Sequence, residues 1–123
     1  MNCFAKFLAA RANSIGHALN GLWSAIKTEG NARVHLLATI TVVGLGFGFG
    51  ISRLEWAAII AAIALVWAAE LLNTAFEALC DLVNPDASAQ VKRAKDLAAA
   101  AVLAAALGAV FIGGLVFLPY FWQ

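Results

Sequence analysis

Residues 69 to 83 read AELLNTAFEALCDLV, and four side chains in that stretch, Glu70, Asn73, Glu77 and Asp81, can accept protons or offer oxygen ligands. On a helix at about 100° per residue they fall at roughly 0°, 300°, 340° and 20°, with Thr74 at roughly 40°, so all five share one face. The opposite face, with Leu72, Ala75, Leu79 and Leu82, stays apolar. Glu70 and Glu77 lie two turns apart and repel unless a proton or a cation intervenes. A divalent cation takes oxygen ligands, and Mg²⁺ commonly keeps several waters and binds phosphates. Glu29 adds a further acid and the pair Lys95-Asp96 adds a lysine suited to phosphate. The chemistry this set could do is phosphate and metal chemistry, if the fold brings the three regions together.

The elements that must position them are apolar. Of 123 residues, 63% are hydrophobic and 12% charged, which is too apolar for a soluble domain of this size and indicates an all-α membrane protein. A net charge of +1, with no basic stripe or tract, argues against a nucleic-acid partner. Cys3 and Cys80 sit in unlike settings without metal-type spacing and read as free thiols. Residues 3–30 place Phe4, Phe7, Leu8, Ile15, Leu19, Leu22 and Ile26 at three- and four-residue steps, the pattern of an amphipathic helix lying in the membrane interface. Its interspersed polar residues do not suit a cleaved signal. Three longer apolar segments follow, at 34–51, 54–83 and 97–121, each long enough to span about 30 Å of hydrocarbon at about 1.5 Å per residue. The connections are "SR" and "NPDASAQVKRAKD", the second with Asn84 and Pro85 as a helix stop.

Lys6, Arg11, Lys27 and Arg33 precede the first span, and Lys92, Arg93 and Lys95 lie between the second and third. Only Arg53 lies on the other side. The positive-inside rule therefore predicts a cytoplasmic N-terminus and a cytoplasmic 84–96 segment, with "PYFWQ" outward as an aromatic end. The second span is over-long, so its acidic third is expected to reach toward the cytoplasmic interface. A hydrated polar side would account for Asp81. Glu70, deepest of the acids, needs a bundle interior or a watery cavity, because a carboxylate at the bilayer centre costs about 2.5–3.5 kcal/mol on insertion scales. The glycines of "GLGFGFGIS", Gly44, Gly46, Gly48 and Gly50, are read as close-packing positions and not as a nucleotide loop. The same holds for Gly108, Gly113 and Gly114. His35 is read as an interfacial residue. Trp23, Trp56 and Trp122 suit an interfacial belt, for which Trp67 is too deep.

The run from Glu70 through Asn73 and Thr74 to Glu77, then Asp81, then Ala94-Lys95-Asp96, closely resembles the small bacterial integral-membrane lipid kinases, the diacylglycerol kinase and undecaprenol kinase family. The shared pattern is E-x-x-N-[ST]-A-x-E with a downstream A-K-D, and the likeness extends over nearly the whole chain, including Gly21 and Glu29. The segment "NARVHL", with Asn31, Arg33 and His35, is more similar to the undecaprenol kinase branch. The resemblance implies that Glu70 is the base for the lipid hydroxyl, that Asn73 orients the reacting groups, and that Glu29 and Glu77 hold Mg²⁺ on the phosphates of ATP. It implies nucleotide contacts from Lys95 and Asp96, with His17 and Asp86 on the nucleotide side, and places Asn31, Arg33, Glu70 and Ala99 beside the acceptor lipid. Arg11 stands one position from a basic residue used by relatives, and "NPDASAQV" departs from the family's loops. A homotrimer with sites between subunits, in the inner (cytoplasmic) membrane of a bacterium, is implied as well.

The expectation is one integral-membrane domain over residues 1–123, a surface helix plus three transmembrane helices, catalysing ATP- and Mg²⁺-dependent phosphorylation of diacylglycerol or undecaprenol. Phosphoryl transfer asks the protein mainly for positioning and charge neutralisation. With no G-x-x-x-x-G-K-[ST] sequence, ATP would be held by the acids and their metal. The competing expectation is a non-catalytic channel or transporter subunit whose intramembrane acids pass cations, which leaves Glu29 and Lys95-Asp96 without a role.

Overall fold

The computed structural model describes residues 2–86 and 88–122 and is helical almost throughout. Its elements are α1 (Cys3–Thr28), α2 (Gly30–Phe49), α3 (Arg53–Val83) and α4 (Ala89–Phe117), the last running into a 3₁₀ turn, Leu118–Phe121. Ala87 of the second connection and Gln123 of the aromatic end lie outside the described residues.

Each boundary has a local cause. The Asn2 side chain accepts from Ala5 N at 2.9 Å and starts α1. Glu29, extended at φ −98° and ψ 125°, ends α1 and begins α2, its N–H donating to Ala25 O at 2.8 Å. Arg33 ties the corner, donating from Nε to Ile26 O at 3.0 Å and from Nη2 to Lys27 O. Those carbonyls have no partner within α1, so the guanidinium takes the place of the next helical turn. Gly50 closes α2 in the left-handed region at φ 63°, where a Cβ would be strained. Ser52 and Glu55 then form a capping box at 3.3 and 2.7 Å that opens α3. Asp86 N donates to Asn84 Oδ1 at 3.2 Å after α3, and Ser88 caps α4 through Val91 N at 3.2 Å.

Two boundaries differ from where hydrophobicity alone would put them. The spans expected from 34 and 97 begin earlier as helices, at Gly30 and Ala89, so Arg33 lies on α2 while Lys92, Lys95 and Asp96 lie on α4 and not in a connection. Polar first turns are supported by capping and backbone hydrogen bonds, which an apolar-run criterion does not register.

Helices α2, α3 and the α4 segment Ala89–Phe121 are each long and apolar enough to cross a membrane. α4 packs chiefly along α3, and α2 joins them less extensively. The buried cluster of Ile51, Ile59, Val116 and Phe117 sits at the end of the bundle away from the acids. Phe49 joins it through Phe117, Tyr120 and Phe121, with ring centroids 6.2, 5.5 and 5.2 Å away. Tyr120 donates to Glu55 Oε2 at 2.9 Å, fastening the end of the chain to the α2–α3 corner. Of the four glycines in "GLGFGFGIS", Gly46 alone is pressed, by the Trp56 ring, and Gly50 serves as the cap; Gly44 and Gly48 meet nothing within 4 Å. Trp67, too deep for a belt, donates to Thr39 Oγ1 at 3.0 Å across α2 and α3. Large apolar side chains such as Leu37, Ile40, Phe47, Phe111 and Leu115 remain exposed, as suits surfaces that meet lipid or another helix.

Candidate active site

The acid face of α3 turns inward where it begins. Glu70 is 1% exposed and Asn73 7%, the two buried polar residues among the described residues. Asn73 Nδ2 donates to Glu77 Oε1 at 3.2 Å, one turn further on. Three atoms of this face, Glu70 Oε2, Asn73 Oδ1 and Thr74 Oγ1, are buried without a hydrogen-bond partner among the described residues. An unmade hydrogen bond at a buried oxygen costs about 1–3 kcal/mol, more for a charged one. Three such atoms within five residues mark a face fitted to something other than the fold.

His35 is the basic group that reaches Glu70. Its Nε2 lies 3.6 Å from Glu70 Oε2, within ion-pair range and too long for a hydrogen bond, with the imidazole side chain 14% exposed. Expected to sit at the interface, His35 is instead turned into the bundle from α2. Its signal in the sequence was an ionisable residue inside an apolar span, but the partner depends on how α2 and α3 pair. Glu29 and Glu77, both half-buried, act electrostatically on Glu70 from the α1–α2 corner and from α3. Glu29 Oε1 accepts from Thr28 Oγ1 at 2.9 Å.

Beyond the buried acids, the α3–α4 junction forms a polar recess of about 310 Å³, lined by Asp81, Asp86, Lys92, Lys95 and Asp96 among others. Lys95 Nζ donates to Asp81 Oδ1 at 2.5 Å, and Lys92 Nζ to Asp96 Oδ2 at 2.5 Å. Asp81 and Lys92 thus join residues already singled out, and Lys92 is a member that sequence reasoning did not assign. On the membrane side, an open groove of about 840 Å³ runs between α3 and α4, lined by Leu65, Leu72, Phe76, Leu97 and alanines. Asn73 is its one polar lining residue. The same residue therefore meets both Glu77 and the groove.

The remaining candidates stand apart. His17, Asn31 and Ala99 are exposed on α1, α2 and α4, and none has a side-chain hydrogen bond to the acid face among the described residues. Arg33 is spent on the carbonyls that end α1. No group of three His, Cys, Asp or Glu side chains is gathered to hold a metal ion among the described residues. Glu29 and Glu77, the half-buried carboxylates that act on Glu70, offer oxygen ligands of the type suited to an ion that takes one or two carboxylates and completes its shell with water and phosphate.

Fold and site together define an integral-membrane helical protein with ionisable groups buried between its spans and a polar recess at one end, an arrangement typical of intramembrane functional sites. Residues 16–117 match the family of prokaryotic diacylglycerol kinases. The chain is 40% identical over 106 residues to the undecaprenol kinase of Bacillus subtilis, covering 86% of each. It is 36% identical over 107 residues to a diacylglycerol kinase of Synechocystis, covering 86% of this chain and 61% of that one. To the diacylglycerol kinase of Haemophilus influenzae it is 33% identical over 106 residues, covering 85% and 90%. The chain belongs to the prokaryotic diacylglycerol kinase family and is a lipid kinase.

Proposed function

We propose that the protein transfers the γ-phosphoryl group of ATP to the primary hydroxyl of a membrane lipid, with undecaprenol as acceptor and undecaprenyl phosphate as product. The observation that carries the reaction is that Glu70 and Asn73 are buried with unpartnered oxygens, Asn73 opening on an apolar groove, with a polar recess further along α3. The undecaprenol assignment leans on "NARVHL" and on the relative of that name; diacylglycerol is the other acceptor that relatives' names supply.

In this reading the lipid hydroxyl oxygen attacks the γ-phosphorus. An O–P bond forms, the bond from γ-phosphorus to the bridging oxygen breaks, and ADP leaves with that electron pair. Glu70 takes the hydroxyl proton as the general base. Asn73 aligns the hydroxyl with the phosphorus, since its amide borders both the acids and the groove. Glu29 and Glu77 would hold Mg²⁺, which supplies charge neutralisation to the phosphates. Lys95, kept in place by Asp81, faces the phosphates, with Asp96, Lys92 and Asp86 around the nucleotide. His17 flanks the nucleotide from α1, and Asn31, Arg33 and Ala99 border the acceptor. α1 lies in the cytoplasmic interface of the bacterial inner membrane, where the basic residues of α1 and of the α3–α4 junction would also sit. The open groove and the exposed apolar faces support assembly as a homotrimer in which neighbours complete each site.

The test is transfer of labelled phosphate from ATP by purified protein in mixed micelles, with undecaprenol and diacylglycerol offered separately, with and without Mg²⁺. Mg²⁺-dependent label in undecaprenyl phosphate is expected. Label only in phosphatidic acid overturns the acceptor, and transfer without Mg²⁺ overturns the metal.

A further inference from the structure

Glu70 is surrounded by acids, yet it must be presented to the substrate as a carboxylate in one orientation. Glu29 and Glu77 both bear on it with like charge. Asn73, one turn on, and the cations of the other elements are committed elsewhere. Asn73 spends its amide N–H on Glu77, Arg33 is bound to the end of α1, Lys95 to Asp81 and Lys92 to Asp96. Among the described residues, Glu70 Oε2 has no hydrogen-bond donor. The basic group within ion-pair distance of it, among the described residues, is His35.

From this arrangement we infer that His35 is the positioning residue of the catalytic carboxylate: its Nε2–H holds Glu70 Oε2, leaving the other oxygen to meet the lipid hydroxyl. The 3.6 Å separation closes to a hydrogen bond by a few tenths of an ångström of side-chain motion, well within rotamer play. Rigid support comes from α2 itself, where Thr39 Oγ1 donates to His35 O at 2.7 Å and accepts from Trp67 Nε1 at 3.0 Å. The bonds from α3 through Thr39 to the His35 backbone fix the helix that carries the imidazole against the helix that carries the acid. Held in this way, Glu70 neither swings toward solvent nor turns its occupied oxygen to the substrate.

The inference rests on Glu70 being the base, and the experiment separates the two. Replacing His35 by Leu removes the donor; replacing it by Gln keeps an N–H at the reach of Nε2. In the mixed-micelle assay His35→Leu is expected to lower kcat about 10- to 100-fold, the scale of a misplaced catalytic group, with KM for ATP and for lipid within about twofold of wild type. His35→Gln should recover kcat to within about threefold of wild type, a rescue that a purely packing role would not produce. Wild-type kcat in His35→Leu, or equal losses in Leu and Gln, overturns the inference. Should His35→Leu fail to yield folded protein, His35→Asn, whose amide stops short of Glu70, replaces it and must lose activity where Gln keeps it. Glu70→Gln run alongside reports on the base itself: full activity there removes the base, whereas an inactive Glu70→Gln beside a fully active His35→Leu removes only His35.

Discussion

Exchanging Glu70 for Gln keeps the shape of the side chain and deletes the one property that the proposed reaction uses. General-base catalysis contributes about 10²–10⁴-fold, or about 2.7–5.5 kcal/mol of barrier, so kcat is expected to fall by that factor. Stability should move the other way. Glu70 is 1% exposed, Oε2 receives no hydrogen bond from the described residues, and the nearest basic group among them is 3.6 Å away. The fold therefore bears part of the cost of a buried charge, for which insertion scales give about 2.5–3.5 kcal/mol at the bilayer centre. An amide of the same volume leaves no cavity and lifts that cost. The thermal midpoint of Glu70→Gln in detergent should accordingly equal or exceed that of wild type, while labelled-phosphate transfer collapses and Mg·ATP still binds. Transfer at the wild-type rate refutes the base. A lowered midpoint together with lost activity refutes the claim that Glu70 is retained at a cost to the fold.

Glu77→Ala removes a proposed metal ligand and releases the Asn73 amide, so the Mg²⁺ concentration for half-maximal rate should rise at least about tenfold, the scale of a single lost charge-assisted contact; a superimposable Mg²⁺ titration would take Glu77 out of the metal site. Gly46→Ala puts a Cβ 2.7 Å from the Trp56 ring, an overpacking worth about 1–3 kcal/mol that should appear as a lower thermal midpoint with kcat per folded protein unchanged, since Trp56 is remote from the acids in sequence and in the bundle. An unaltered midpoint would mean that the ring is free to move away.

The acid face of α3 was legible because helical periodicity alone puts Glu70, Asn73, Thr74 and Glu77 on one side, and a continuous helix from Arg53 to Val83 carries them as expected. The limits of α2 and α4 were not. Gly30 and Ala89 begin helices whose first turns are polar; Ser88 caps the second, and the first follows directly on the corner that Glu29 N–H and Arg33 tie to the last carbonyls of α1. Apolar content marks where a span meets lipid, not where its hydrogen-bonded ladder begins. His35 was missed for a different reason. A lone ionisable residue near a span end has an interfacial explanation at hand, and only the rotation of α2 against α3 decides whether it faces water or Glu70. Asp81 and Lys95 illustrate the same dependence on helix pairing: their 2.5 Å contact joins positions fourteen residues apart across the α3–α4 turn.

A kinase acting on a membrane lipid has to serve two reactants that share no solvent, and α3 is built for that demand. At 31 residues it is about 46 Å long, against about 30 Å of hydrocarbon. With Glu70 and Asp81 eleven residues apart, about 16 Å of helix separates the buried carboxylate from the polar recess. On the proposed roles, the lipid hydroxyl needs to rise only to Glu70 while the nucleotide stays in water on the Asp81 and Lys95 side. Placing the base at that depth sets catalysis against folding, because each step toward the hydrocarbon that favours the lipid raises the cost of the charge. The unpartnered oxygens of Glu70, Asn73 and Thr74 are where that conflict shows, and His35 is the group placed to ease it. If so, the helix with the most demanding chemistry should also be the one most readily stabilised by mutation, and Glu70 the position where a gain in stability costs the most activity.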